Sequence, residues 1–310
     1  MTVTIREYRP GSSDAESVVR LRRATAPFVV TTAQAVSSGM AQAHPAGGYR
    51  LLLAEDDTSG QVVGSLHAGL SYRSPVPGHG FGVPHVHPEH RGRGTGSELL
   101  RRAEGYLAAL AATALHVWTA DEGDRAFAEK RGFAPGHTMR HLRLTLADEG
   151  VPDVAALPPG FGLRGADALG DDPRPLYEAD AEVARDEPGS VPVSLDDYDD
   201  WRRTTWDAPL LDRAPTTLVQ ADDGRVAAFT LAHVDGRTRY ASGMTGVREE
   251  FRGLGLAKAA KADSLRRARA AGYLEAYTGN DDVNAPMLAV NRWCGYAPCA
   301  TEVEYVRALV

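Results

Sequence analysis

Apolar residues recur along the chain in two rhythms, every second position and every third to fourth, and the rhythms alternate in a fixed order. In the first half, 3–8, 49–54 and 61–71 alternate as half-buried strands do, with Asp57-Thr58-Ser59-Gly60 as the turn between the last two. Segment 15–26 carries Val18, Val19 and Leu21 at helical spacing. Strand 81–87 feeds a helix over 96–112, where Leu99, Leu100, Ala103, Tyr106, Leu107 and Leu110 share one broad face. A strand at 115–119, a short helix at 125–130 and a strand at 137–146 follow. Segment 147–160, with Pro152, Pro158, Pro159 and Gly160, reads as a linker.

The order then returns. Helices are predicted at 175–185 and 195–206, separated by Asp186-Glu187-Pro188-Gly189. A hairpin follows at 218–221 and 226–234 around Asp222-Asp223-Gly224, then strand 239–247 and a helix over 256–271 that Gly272 closes. Strand 273–278, helix 285–293 and strand 302–306 end the half. The residues themselves echo. Arg91-Gly92-Arg93-Gly94-Thr95-Gly96 matches Arg252-Gly253-Leu254-Gly255-Leu256-Ala257, and Arg131-Gly132-Phe133 matches Cys294-Gly295-Tyr296. At the start of each half, Val3-Thr4-Ile5-Arg6 matches Phe161-Gly162-Leu163-Arg164. A repeat of roughly 150 residues is too long for a solenoid unit and fits a whole domain. The expected class is α+β, with two tandem domains, each a twisted mixed β-sheet flanked by helices. The expected division is 1–148, a linker at 149–160, and 161–310.

Composition narrows the function. The 43% apolar and 24% charged residues are those of a water-soluble globular protein. A net charge of −7 disfavours nucleic acid as a partner; the acid excess is compatible with a small cationic substrate but fits solubility alone better than steering. Cys294 and Cys299 have neither a zinc-finger spacing nor a C-x-x-C motif, and both read as buried thiols. The start reads as a strand and lacks the apolar core of a signal peptide, and no run approaches a membrane span. A cytoplasmic protein, monomer or homodimer, is expected.

Each glycine-rich turn joins a strand to a helix start, where the first four N–H groups lack intrahelical partners and the helix dipole is partly positive. Such a turn can hold a pyrophosphate, with Arg91 or Arg252 adding charge. Neither copy fits a Walker loop or the G-x-G-x-x-G dinucleotide turn. With Val86-x-Pro88 before the first turn and Val247 before the second, both resemble the acyl-CoA motif of the GNAT superfamily of N-acyltransferases. Lys130-Arg131-Gly132-Phe133 resembles that family's downstream signature, and Trp293-Cys294-Gly295-Tyr296 stands as its counterpart. The likeness covers essentially the whole chain.

The resemblance implies an acetyl-CoA co-substrate and direct acetyl transfer to a small amine in a ternary complex. It assigns the donor to Val247, Arg252, Gly253, Leu254, Gly255, Leu256, Ala257 and Asn284 in the second half. In the first half it assigns Val86, Arg91, Gly92, Arg93, Gly94, Thr95 and Gly96. Where the family often has a pantetheine-binding Asn and a proton-donating Tyr, the second half has Asn284 and Asn291, and the first has Asp121 and Ala128. The run Thr278, Asn280, Asn284, Met287, Asn291, Gly295-Tyr296 resembles an actinobacterial-type tandem subgroup with the same replacement. The second half is therefore the expected catalyst. Asn284 is equally suited to capping the helix at 285. The Asn291 amide can donate a hydrogen bond but not a proton at neutral pH.

Other candidates are open. Tyr277 and Tyr240 are possible donors to a thiolate. Asp180, Glu182, Asp186, Glu187, Asp196, Asp197, Asp199 and Asp200 form an acidic stretch that suits a cationic amine or simply faces water. Trp201 and Trp206 fit a helix core better than a stacking platform. His85 and His87 are conceivable bases in the first half, and no metal is expected. The competing reading is a non-catalytic acyl-CoA binding or sensing module.

Overall fold

A computed structural model of the chain describes residues 2–146 and 150–309, so linker positions 147–149 lie outside the described residues. Two compact units emerge, interleaved in sequence. One comprises Met1–Met139, Gly189–Pro192 and Thr301–Val310; the other Arg140–Pro188 and Val193–Ala300.

The first unit opens with β1 (Val3–Glu7), α1 (Asp14–Thr25) and α2 (Ala33–Ala41). The meander β2 (Arg50–Asp56), β3 (Val62–Leu70) and β4 (His79–Val86) follows, then α3 (Thr95–Ala109), β5 (Ala114–Thr119) and α4 (Glu122–Glu129). β6 (Ala134–Thr145) leaves this unit at Met139 and ends in the second. Leu99, Leu100, Ala103 and Leu107 of α3 are buried, as the helical spacing predicts. Strand order is β1-β2-β3-β4-β5-β12, and the last member is β12 (Ala297–Ala308) from the far end of the chain. Its Val303–Ala308 segment pairs antiparallel with Thr119–Ala114 of β5. Glu304 there receives the His116 ring nitrogen at 2.8 Å and the Ser190 hydroxyl at 2.6 Å, and Tyr305 is buried with Leu115 and Phe133. The sequence division at 149–160 assigns β12 wholly to the second half; side-chain burial and ladder bonds anchor its end in the first unit.

The second unit runs β7 (Phe161–Gly165), α5 (Arg174–Ala184), α6 (Tyr198–Trp201), β8 (Thr217–Ala221), β9 (Val226–Val234) and β10 (Arg239–Val247). It continues through α7 (Leu256–Ala270), β11 (Glu275–Asp281) and α8 (Ala285–Trp293), with strand order β6-β11-β10-β9-β8-β7. Alanines at 259, 260, 262 and 268 let α7 lie close on the sheet. The helix expected over 195–206 differs in kind. Asp197 caps it by accepting the Asp200 N–H at 3.0 Å, and after one turn it widens into a π-helix at Arg202–Trp206. Bonding from i to i+5 brings Trp201 and Trp206, five apart, into one core, at 0% and 2% exposure. Cys294 is buried, whereas Cys299 is exposed because it lies on the solvent-facing start of β12.

Candidate functional site

In both units the parallel strand pair opens like a V. β4 and β5 pair only from His79–Ala114 to Phe81–His116, and β10 and β11 only from Arg239–Glu275 to Ala241–Tyr277. β4 and β10 continue for five or more residues with partners on one side alone, β3 and β9. Each V opens a cavity, of about 620 Å³ in the first unit and about 780 Å³ in the second. Each also ends at a glycine turn. Gly253 and Gly255 sit at φ of 81° and 78°, Gly92 and Gly94 at 74° and 88°, a conformation glycine adopts without a Cβ clash. Neither α3 nor α7 has a side chain capping its first N–H groups, and the residues that open them, Thr95-Gly96 and Leu256-Ala257, line the two cavities.

The clefts differ at one strand. Between Ser242 and Thr245 the register of β10 against β9 slips by one residue, so Gly243 and Met244 together oppose one residue of β9. Such a bulge re-aims backbone groups away from the ladder. Gly243 permits it, since a Cβ there would lie 2.8 Å from the His233 ring. β4 pairs with β3 without interruption from Gly80 to Val86.

The sequence profile of the acetyltransferase (GNAT) family matches twice, at residues 16–133 and 176–296. The chain belongs to the acetyltransferase (GNAT) family. It is an N-acetyltransferase with two GNAT-like halves. It is 30% identical over 274 residues to a mycothiol acetyltransferase of Clavibacter sepedonicus, covering 84% of this chain and 82% of the relative. A mycothiol acetyltransferase of Clavibacter michiganensis subsp. michiganensis is 29% identical over 267 residues, with 84% of each chain covered. The fold is shared with a tandem GNAT protein from the clavulanic acid biosynthesis pathway, at TM-score 0.74, 20% identity and 100% and 99% coverage. It is shared too with a GCN5-related N-acetyltransferase from Sphaerobacter thermophilus, at TM-score 0.73, 21% identity and 99% and 96% coverage.

Within this GNAT chain the two halves differ in the buried residues behind the clefts. Matched by glycine turn and strand register, Leu100, Ala103, Val117 and Phe133 of the first half, all buried, correspond to Lys261, Ser264, Thr278 and Tyr296 of the second. Gly80 and Gly82 correspond to Tyr240 and Ser242. Behind the second cleft, buried hydroxyls form a hydrogen-bonded chain. Ser264 donates to the Pro215 carbonyl at 2.6 Å, leaving its oxygen to accept from Tyr240 at 2.7 Å. Ser242 lies 3.2 Å from the Tyr240 hydroxyl and 3.1 Å from that of Tyr296. Burial pushes Tyr240 up to about 12 and Tyr296 well above the ordinary tyrosine range.

Lys261 is the exceptional member, and nothing in the reading of the sequence singled it out. The residue is 1% exposed, and its ammonium reaches Thr278 Oγ1 at 3.3 Å, lies 5.3 Å from the Tyr296 ring centre, and has no ion-pair partner among the described residues. Burial brings it down to about 8. A lysine held below its unfolded value of 10.5 penalises the fold wherever it stays charged, by about 3 kcal/mol for such a shift. The penalty is full below pH 8 and fades as pH rises from 8 towards 10.5. Lys261→Leu, which installs the residue the first half uses, is therefore expected to stabilise the protein below pH 8, with the gain shrinking by pH 10. Denaturant melts at the two pH values check this.

The remaining candidates fall as follows. Val247, Arg252, Gly253, Gly255, Leu256, Ala257 and Asn284 line the second cavity; Leu254 does not and is exposed. Val86, Arg91, Gly92, Gly94, Thr95 and Gly96 line the first, without Arg93. Asn284 caps α8 through the Met287 N–H at 3.2 Å while facing the cavity. Asn291 sits one layer back, fully buried, donating at 2.5 Å to Asn280, which lines the cleft. Tyr277 lies off the cavity, its hydroxyl bonded to Glu275 at 2.9 Å, because alternation along β11 gives the cleft Thr278 instead. Tyr240 lies buried behind the cleft.

The acidic stretch resolves into separate jobs. Asp180 accepts the Trp201 indole N–H at 2.7 Å, Glu182 holds Arg248 at 2.7 Å, and Asp186 holds Arg252 at 2.5 Å. Glu187 lines the cavity, and desolvation by the surrounding walls followed by the Asp180 charge pushes its pKa upward. In the first unit, carboxylates stand at the turn itself, with Arg91 bonded to Asp121 at 2.6 Å and Asp124 raised by burial. His85 faces that cavity and bonds Thr25 at 2.9 Å; burial and nearby arginines bring it down to about 4, which leaves a weak base. His87 lies beyond β4 and, with Glu89 and His90, forms a cluster whose possible ligand atoms lie within 4.8 Å of one another. No helix of the described residues is long and apolar enough to cross a membrane.

Proposed function

We propose that the second cleft takes acetyl-CoA and passes its acetyl group directly to a small amine, and that the first half serves chiefly as support. The bulge at Gly243–Met244, absent from β4, carries this reading. It takes a residue out of the ladder beside the splayed opening, and strand N–H groups freed there can polarise a thioester carbonyl as charge gathers on its oxygen. The uncapped start of α7 and Arg252 suit the pyrophosphate, and the one-sided edge of β10 suits the amide groups of the pantetheine arm.

The attacking nitrogen forms the C–N bond and sheds one proton. Glu187, at the cavity wall with a raised pKa, is placed to take it, directly or through water. A base must be unprotonated, so turnover is expected to fall as pH drops through that raised value. Glu187→Gln is expected to lower kcat roughly 10- to 100-fold and flatten the acid limb of the pH profile. An unchanged acid limb would assign the proton elsewhere.

Relatives named mycothiol acetyltransferase support an acceptor of that kind, and deacetylated mycothiol is the first amine to test. The test combines acetyl-CoA with that amine and a panel of amino sugars and polyamines, reading thiol release and the acetylated product by mass spectrometry. Acetyl-CoA binding without turnover on any amine would favour the sensing module instead.

A further inference from the structure

We propose that Lys261 is the acid that protonates the thiolate released in the second cleft, an assignment that rests on the acetyl-CoA reading above. A buried ammonium without a carboxylate is expensive, and the fold does not require one here, because Leu100 fills the matching place in the first half. A charge kept against its own folding cost, lining a cavity and bonded to the buried Thr278 hydroxyl, marks a functional position.

Its location defines the partner. Lys261 lies nearly two turns beyond Gly255, about 9 Å along α7 from the turn. Its contact Thr278 follows the last paired residue of β11, Tyr277, and Ser242 follows the last paired residue of β10, Ala241. Lys261 therefore sits at the closed end of the V. A donor whose phosphates rest on the glycine turn extends down the cleft, so its sulfur end approaches that closed end. An ammonium there repels a cationic amine and attracts a thiolate.

In the step, the amine nitrogen bonds the acetyl carbon, the C–S bond breaks and its electron pair leaves on sulfur. The Lys261 ammonium gives its proton to that sulfur, producing the thiol, while the proton shed by nitrogen passes to Glu187 or water. Neutral Lys261 regains a proton from solvent as the products leave. Transfer from an acid near pKa 8 to a thiolate of pKa about 8.5 is close to balanced.

The groups around Lys261 do not titrate in its place. Cys294 at the end of α8, Tyr240 on β10 and Tyr296 at the start of β12 are all pushed upward by burial and stay neutral near pH 8. Lys258, on the preceding turn of α7, lines the same cavity, as do Asp186 and Glu187 beyond α5.

The test uses the full chain with hydroxylamine as a surrogate acceptor, measuring thiol release across pH 6–10. Wild type is expected to lose kcat as pH rises through about 8, because the acid must be protonated. Lys261→Leu is expected to lose about 100-fold in kcat, to bind acetyl-CoA within about threefold of wild type, and to lack the alkaline limb. With an acetyl aryl thioester, whose thiolate needs no proton, the loss should shrink below about tenfold. Lys261→Arg keeps charge but holds its proton too tightly to donate; full turnover in it would overturn proton transfer in favour of charge alone. Equal losses with both thioesters, or an unchanged pH profile in Lys261→Leu, would also overturn the proposal. Calorimetry with Gly255→Glu separates the two readings. Acetyl-CoA binding that survives this change would sink the cleft assignment itself.

Discussion

Gly255→Glu is expected to abolish acetyl-CoA binding and turnover, whereas Gly94→Glu leaves both within a few-fold of wild type. The asymmetry follows from the two turns. At Gly255 an added Cβ meets no atom within 4 Å, so the substitution does not break the core, and its φ of 78° costs only about 1–2 kcal/mol. What changes is the cleft: a carboxylate enters the place proposed for the pyrophosphate. Each charge-assisted bond from the turn is worth about 1.5–3 kcal/mol, so losing two or more costs at least a hundredfold in affinity. At Gly94 the same change adds a third acid beside Asp121 and Asp124. Calorimetric stoichiometry decides it. Loss of the only site with Gly94→Glu would move the donor to the first half, and two independent sites would make that half a second enzyme or a sensor.

Removing 301–309 is expected to unfold the first unit while leaving a cooperative transition from the second. The deletion strips β5 of the strand paired along Ala114–Thr119 and exposes a ladder edge. It removes the buried Tyr305, the Glu304–His116 pair, the Arg307–Glu104 pair at 2.7 Å and the Tyr305 bond to Glu129 at 2.8 Å. Burying Tyr305 alone is worth about 1.5–3 kcal/mol, and the whole set is of the order of a domain's 5–15 kcal/mol stability. Scanning calorimetry should show one transition where the intact chain shows its full heat. A peptide spanning 297–309 added in trans should restore the lost part. An unaltered thermogram would refute the role given to this strand.

Residues with a local signature were legible in the chain. The glycine turns, the helices they open, the hairpin around Asp222–Gly224 and helix α8 at Ala285–Trp293 all follow from spacing and turn chemistry. The spacing of the tryptophans marks them as core but not their π-helical setting, since a change from i+4 to i+5 bonding leaves no mark in composition. Helix α2 escaped because Ser37-Ser38-Gly39 weakens its pattern; its Thr32 cap, bonded to the Ala35 N–H at 3.0 Å, was the available signal. Lys261 was hidden by its neighbours: in Leu-Ala-Lys-Ala-Ala-Lys a helical lysine reads as solvated by default. The 161-residue offset of the repeats places it opposite Leu100, among several polar-for-apolar exchanges beneath one cleft. The pairing of β12 with β5 joins residues far apart in sequence and has no periodic trace.

The last strand also sets a timetable. Residues 114–119 are synthesised roughly 180 positions before 301–310, which at about 5–20 residues per second is some 10–35 s of translation. Throughout that interval the nascent first unit carries an open strand edge, and the second unit is made while the first is still waiting. The chain thus cannot follow the usual order in which an N-terminal domain finishes before the next begins. A ribosome stalled after residue 296 should hold a protease-sensitive first unit, and one that has released 309 should not. Whatever shields the β5 edge during those seconds matters as much to the yield of enzyme as any contact in the finished fold.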